Sequence, residues 1–410
     1  MEFAKDRMVL ITVIVAALGY LVDIYDLILF SVVRVQSLKD LGLTAEQIKS
    51  VGADPLAWQM GGMLIGGLVW GIMGDKLGRL SVLFGSILLY SLANAANAYV
   101  TTLEQYEWLR LVAGIGLAGE LGAGITLVSE VMSKETRGIG TTIVASVGVA
   151  GAVLAYFVSI TFDWRTAYLV GAGMGIFLLL LRVSVFESGM FGKVKNSSVS
   201  RGNFFMLLQD KRLLIKYIKC ILIGLPTWFV LGQLVTLAPE FAKNFGMSDA
   251  PENPGAAVMW CYVGLIVGDL ASGLLSQYLK SRRKALLTFI TIATFTTSFY
   301  LLSGDISRNF FYFKVFLLGI GMGYWALFVM VGAEHFGTNI RATVTTTVPN
   351  FARGLLVPIA AIMKILKESI GLVNAAWILF VVTFVIAALA MYYMEETFGK
   401  DLDYVEEMNN

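Results

Sequence analysis

Long apolar runs alternate with short polar breaks from one end of the chain to the other. A helix needs roughly 20 apolar residues to cross the hydrocarbon core of a bilayer. Twelve such runs occur, near residues 8–33, 55–74, 80–100, 104–132, 139–160, 165–186, 213–238, 256–279, 285–303, 309–333, 342–364 and 371–393. Each is continuous rather than alternating in polarity, which excludes a closed barrel of strands. The pattern predicts an all-α membrane protein with twelve transmembrane helices.

Composition agrees. Of 410 residues, 57% are hydrophobic and 15% charged, whereas a soluble domain carries about 25% charged residues. A string of soluble domains is therefore excluded. The formal net charge of +2 gives no sign of a nucleic-acid partner. One histidine, His335, and two cysteines inside apolar runs, Cys220 and Cys261, leave no histidine metal cluster, no catalytic dyad and no expected bridge. No cofactor or metal is expected. Lys5 and Arg7 precede an apolar run that is too long for a signal peptide and lacks a cleavage site, so it reads as a permanent first helix.

An even number of crossings puts both termini on one side, and basic residues choose which. With both termini inside, the inner loops collect Lys76, Arg79, Lys134, Arg137, Lys280, Arg282, Arg283, Lys284 and Arg341. The outer loops hold a thinner set: Arg34, Lys39, Lys49, Arg165, Lys243, Arg308, Lys364 and Lys367. The expectation is a multi-pass protein of the cell membrane, read as a bacterial inner membrane, with cytoplasmic termini. Its partners are membrane lipid and small solutes, and it is read as a monomer.

The longest polar interruption divides the chain. Residues 1–188 read as an N-terminal six-helix bundle, 189–212 as a cytoplasmic linker, 213–394 as a C-terminal six-helix bundle and 395–410 as an acidic tail. Phe204, Phe205, Leu207 and Leu208 suggest that part of the linker lies flat on the membrane. An internal repeat supports the division. Arg79 and Arg283, Arg110 and Lys314, Glu130 and Glu334, and Arg137 and Arg341 all stand 204 positions apart. Two related bundles around a central cavity form a transporter architecture.

The most specific local signal is Gly71-Ile72-Met73-Gly74-Asp75-Lys76-Leu77-Gly78-Arg79 between the second and third helices. It resembles the G-x-x-x-D-x-x-G-R signature of the major facilitator superfamily. That resemblance implies two pseudo-symmetric six-helix bundles. It also implies a charge network of Asp75, Arg79, Glu130 and Arg137, repeated as Glu334 and Arg341, that latches the inner side. A topogenic cluster that only fixes orientation is the plainer alternative. In the second half Gln277 and Leu279 occupy the place of the acid, so that latch should be weaker. Arg110 to Gly116, Gly119-Glu120, Ser129-Glu130, Arg137-Gly138, Trp164-Arg165 and Glu187-Ser188 resemble one branch of the family. It holds sugar porters, phosphate–proton symporters, aromatic-acid–proton symporters and organic anion transporters.

Charges inside the membrane are costly and mark pathways. Asp23 and Asp26, three residues apart, share one face of the first helix. They lie roughly 22 and 27 Å from its inner end, and Arg110 sits about 9 Å below the outer start of the fourth helix. An Asp26–Arg110 pair is expected, either as a proton-coupling site, as the resemblance implies, or as a static interhelical salt bridge. Burial disfavours a charged carboxylate and a nearby cation favours it, so a cargo that competes for Arg110 can tip protonation. Glu120 is a third buried acid. It reads equally as a proton or cargo residue and as a hydrogen-bonding partner for a neighbouring helix. Asp269 either pairs with nearby arginines or faces the cavity.

Arg353 should lie about 16 to 18 Å into the eleventh helix. It resembles the cation of organic anion and phosphate carriers, and a guanidinium can grip a carboxylate bidentately. Pairing with Asp269 or Glu120 is the alternative. Asn350, Trp228, Tyr324, Trp325, Tyr25 and Gln233 complete the candidate cargo residues. Gly232 stands where phosphate symporters carry an acid, and the double glutamine of sugar porters is missing, so both cargoes are disfavoured. No Walker loop, metal-ligand spacing or nucleophile–base pattern occurs.

The sequence therefore reads as a secondary active transporter, not an enzyme, that carries a small organic anion with protons by alternating access. Asp23, Asp26, Arg110 and Glu120 are the proton-coupling candidates. The alternatives are a phosphate or sugar symporter, a proton-independent uniporter, a drug-type efflux antiporter or, outside transport, a membrane-embedded enzyme.

Overall fold

The computed structural model describes residues 2–44, 47–48, 54–133, 136–182, 202–252 and 254–406, with side chains from residue 9 onward except that of Arg137. Most of the expected linker lies outside these residues, as does the end of the acidic tail. Among the described residues every regular element is helical, and twelve helices are long and apolar enough to span a membrane. They are α1 (Val9–Asp40), α2 (Asp54–Leu77), α3 (Arg79–Asn97), α4 (Leu103–Val131), α5 (Gly138–Thr161) and α6 (Trp164–Arg182). The second set is α7 (Lys211–Val235), α8 (Gly255–Tyr278), α9 (Arg282–Leu301), α10 (Arg308–His335), α11 (Arg341–Ile370) and α12 (Leu372–Tyr392). The chain is a multi-pass membrane protein built from two pseudo-symmetric bundles of six helices. The α2–α3 connection, the start of α1 and the end of α12 lie at one end of the bundles, here the base.

Local signals in the loops start the helices. Thr102 accepts from the Gln105 N–H ahead of α4, Ser281 from Lys284 ahead of α9, and Ser307 from Phe310 ahead of α10. Each satisfies a donor that a helix start leaves unpaired. Between Asn203 and α7, the short helix Phe204–Gln209 exposes Phe205 and Leu208 while it buries Met206 and Leu207.

Within each bundle, glycines bring two helices into backbone contact. A methyl group on Gly62 of α2 would lie 2.1 Å from the Leu111 carbonyl of α4. A methyl on Gly264 of α8 would lie 2.0 Å from the Phe316 carbonyl of α10. Only glycine fits either place. The other face of α2 carries the contact between bundles: Gly67 meets Asn350, and Gly71 meets the Thr343 backbone of α11.

Four spans are interrupted where the two bundles face each other. Helix α4 breaks at Ala118-Gly119 and α10 at Gly323-Tyr324. Helix α7 passes through a π-helical stretch, Val230–Val235, that follows Pro226. Helix α11 carries Pro349 and breaks at Leu355. Irregular backbone at membrane depth is tolerated where it is buried in protein or lines a cavity.

The repeat needs one correction. Arg79 and Arg282, not Arg283, are the first residues of α3 and α9, and both are buried. Because Ser281 caps α9, its first helical position falls one residue earlier than a constant 204-residue interval puts it. Arg283 is turned outward and donates to the Tyr392 carbonyl at 2.5 Å.

Gly264→Val should lower the unfolding temperature in detergent by an amount equivalent to about 1–3 kcal/mol of overpacking. Gly304→Val, where a methyl group meets nothing within 4 Å, should leave it unchanged.

Candidate functional site

Midway through the molecule, the α11 segment after Pro349 carries Arg353 into a narrow cleft between the bundles, where it is buried. Trp228 of α7 and Trp325, the first residue after the α10 break, flank it. The guanidinium carbon lies 5.6 and 5.7 Å from their ring centres, within cation–π range. The two rings meet edge to face, with centres 6.0 Å apart. Across the cavity Tyr20 of α1 accepts from the Trp325 indole N–H at 3.1 Å, so one hydrogen bond ties the two bundles beside the guanidinium. Arg353 donates Nη1 to Asn350 at 3.1 Å, while its Nε and Nη2 find no hydrogen-bond partner. Toward the far end the lining continues into a narrow apolar groove past Leu231, Gly232 and Ser31.

Of the expected cargo residues, the structure gathers Trp228, Trp325, Asn350 and Arg353 and leaves out three. Tyr25 turns its hydroxyl into the N-terminal bundle and donates to the Ala167 carbonyl of α6 at 2.7 Å. Tyr324 donates to the Ile223 carbonyl of α7 at 3.1 Å, because the α10 break rotates it away from Trp325. Gln233 lies in the π-helical stretch and does not line the cavity. Asn350 is occupied on both sides: it receives from Arg353 and donates to the Ala118 carbonyl at the α4 break, 2.9 Å away.

Asp23 is fully buried one turn from Tyr20, and neither of its oxygens has a hydrogen-bond partner. The charges that face it are Arg353, Glu120 and Asp26. The expected Asp26–Arg110 salt bridge is not formed directly. Arg110 donates to Asn94 of α3 at 2.5 Å and lies 4.7 Å from the Tyr168 ring centre, because this amide offers a nearer acceptor. Asp26 rests beside Arg110 and Asn94, its carboxylate turned toward Gly171 of α6. Glu120 pairs with Arg182 at the end of α6, beside Gly19. Asp269 does not pair with an arginine. Its Oδ1 accepts from the Ala326 N–H at 3.1 Å and caps the second half of α10.

Sequence reasoning missed Tyr20, Asn94 and Arg182. Tyr20 precedes Asp23 by three residues and so shares its face, while Arg182 ends an unbroken apolar run. Both signals were present in the sequence. Asn94 had none beyond being polar within a span.

At the base, the latch residues meet across the bundle interface. Glu130 of α4 accepts from Arg79 at 2.8 Å and from Arg341 of α11 at 3.0 Å, all three buried. Asp75 accepts from the backbone N–H groups of Ala342 and Thr343 at 3.0 and 2.8 Å and so caps α11 from the opposite bundle. Glu334 lies 3.4 Å from Arg282. Above the latch Thr126 and Thr345 join hydroxyls at 2.5 Å. The base is closed in this conformation, and the cleft beside Arg353 shares Trp228, Leu231 and Tyr262 with the groove on its far side.

The sequence family described as Major Facilitator Superfamily matches residues 16–361. The chain belongs to that family. It is 23% identical to the niacin transporter NiaP of Acinetobacter baylyi over 95% of each chain. It is 23% identical to a gentisate transporter of Corynebacterium glutamicum, over 90% of this chain and 84% of that one. The proton:xylose symporter XylE, solved with 6-bromo-6-deoxy-D-glucose, superposes with a TM-score of 0.75 at 17% identity and covers 97% of this chain and 98% of its own. The protein is a transporter of small organic substrates.

Glu130→Gln leaves Arg79 and Arg341 facing each other in a buried site, and breaking such a pair costs about 3–5 kcal/mol. Spin labels on the exposed base residues Lys76 and Lys280 should then show a longer inter-bundle distance as the main population.

Proposed function

We propose that this transporter moves a small organic carboxylate together with protons, the carboxylate on Arg353 and the proton on the α1 acids. The observation that carries the reading is the arrangement at mid-depth. Arg353 has two donor nitrogens without hydrogen-bond partners in a cavity walled by two indoles. Asp23 faces it with both oxygens unbonded. A guanidinium suits a carboxylate, and indole faces suit a flat organic body. The cargoes named for the niacin and gentisate transporters combine those two features.

Coupling follows from one positive charge shared by two claims. With the cavity open and no cargo present, Arg353 balances Asp23. A carboxylate that takes Arg353 leaves Asp23 without its counter-charge, and the acid then accepts a proton from the open side. The neutral assembly crosses when the bundles rock, since a bare charge in hydrocarbon is costly. Asp26, beside Arg110, Asn94 and Asp23, relays protons to the same place. Glu120 with Arg182 holds α4, α6 and α1 together and keeps a further negative charge near Asp23. Asp75, Arg79, Glu130, Arg341 and Glu334 close the base while the far end is open. Arg137, at the start of α5, belongs to the same cluster by sequence.

The base is the cytoplasmic end in this reading, because the basic residues gather there. The membrane is a bacterial inner membrane. A single copy holds the whole pathway, so the transporter works as a monomer, bundle boundaries falling at residues 188 and 213.

The test is uptake of radiolabelled nicotinate and gentisate into proteoliposomes under an imposed pH gradient. Uptake above equilibrium of at least one, driven by inside-alkaline conditions, is expected. Asp26→Asn should keep exchange and lose accumulation, and Arg353→Asp should lower anion affinity at least tenfold. Gradient-insensitive uptake rejects coupling, and unchanged affinity in Arg353→Asp rejects the assignment of the anion.

A further inference from the structure

Between α12 and residue 406 the chain stays on the protein. Residues 395–406 fold back across the base and meet both latch cations of the C-terminal bundle. The Glu396 carboxylate accepts from the Ser281 hydroxyl and from the N–H groups of Arg282 and Arg283, at 2.8 and 3.3 Å for the two amides. It thereby sits on the first turn of α9, whose first residue is Arg282. Thr397 donates its hydroxyl to Glu334 at 2.7 Å, the same acid that faces Arg282. The Phe398 ring centre lies 4.7 Å from the Arg282 guanidinium carbon.

Further along, Leu402 is buried to 1% exposure, and its carbonyl accepts from Arg341 Nη2 at 2.6 Å and from the Thr338 hydroxyl at 3.1 Å. Main-chain bonds fix this register. Thr338 N–H donates to the Tyr404 carbonyl at 2.8 Å, and Asn339 and Glu406 exchange bonds of 2.9 and 3.1 Å.

The consequence lies in the remaining arms of Arg341. Its Nε donates to the carbonyls of Ala333 and Phe336, and its Nη1 crosses the bundle interface to Glu130. A planar guanidinium has a fixed fork geometry. Once Leu402 holds Nη2 and the α10 end holds Nε, Nη1 is aimed at Glu130, with the Thr338 hydroxyl at 3.1 Å as its second acceptor. We infer that segment 395–406 is a built-in clamp of the base gate: it holds Arg341 and Arg282 in the orientations that keep the base closed, and its release favours the base-open state. Glu396 and Leu402 are positioning residues in this scheme. They touch no cargo and act through the latch cations, so the inference stands whatever the cargo is.

Two cysteine probes in the full chain test it. Thr126→Cys lies just above the base latch, where the native hydroxyl meets that of Thr345 across the interface. Ser31→Cys lines the groove at the far end. The native Cys220 and Cys261 are both buried. Rates of N-ethylmaleimide labelling are measured on purified protein. Leu402→Lys drives the buried anchor out, and Glu396→Ala removes the contacts at the start of α9. Each should raise labelling of the Thr126→Cys probe about tenfold, the scale of one lost hydrogen bond to a charged group. Each should also lower labelling of the Ser31→Cys probe. Leu402→Met and Glu396→Gln, which keep the anchor and an acceptor, should stay near the parent rates. An unchanged Thr126→Cys rate in both disruptive variants overturns the inference. So does a rise of both probes together, which marks the tail as a general packing element rather than a clamp.

Discussion

The structure turns on the cost of placing guanidinium and carboxylate groups in a medium that cannot solvate them. Each such charge must find a partner, and where partners are shared the protein acquires alternatives of comparable energy. Glu130 divides itself between Arg79 and Arg341 and so ties one bundle to the other. Arg353, held by Asn350 and flanked by indoles, retains donors with no hydrogen-bond partner while Asp23 faces it unbonded. The first arrangement closes an end of the molecule. The second leaves a cation and an acid facing each other at its centre with hydrogen-bonding capacity unused.

The geometry around these charges is set by backbone close approach. Glycines draw α2 onto α4 and α8 onto α10, and on the other face of α2 they draw it onto α11. The faces between bundles thus stay smooth near the base and break near mid-depth. The breaks turn out groups that a regular helix would keep inside. The α10 break orients Trp325 toward Arg353, and Asp269 caps the half-helix that follows. The α4 break frees the Ala118 carbonyl that receives Asn350 from the opposite bundle.

These breaks also explain what could be read from the sequence and what could not. Span number, the doubled architecture and the closeness of Arg79 and Glu130 were legible, because apolar length and charged residues at helix ends are one-dimensional signals, whereas the crossing of Arg341 to Glu130 was not: by sequence Arg341 belongs with Glu334. Arg353 was legible because a lone cation in an apolar run has few uses. The azimuth of a side chain around an irregular helix was not. Tyr324 and Trp325 are adjacent in sequence, yet one packs against α7 and the other faces the cavity. Tyr25, between Asp23 and Asp26, points into its own bundle. The Arg110 partner was misjudged because Asn94, an uncharged residue on a third helix, takes the donor first. Arg282 displaced Arg283 through a one-residue shift in the cap of α9.

The central proposal is that the cargo carboxylate and the Asp23 carboxylate compete for the one positive charge of Arg353, so that anion binding brings a proton with it. The most direct measurement is proton uptake by purified protein in weakly buffered solution when a transported carboxylate is added. About one proton should be taken up per anion bound, and the Asp23→Asn variant should bind the anion without taking up a proton. Anion binding with no proton uptake in the parent protein, or with the same uptake in Asp23→Asn, would contradict it.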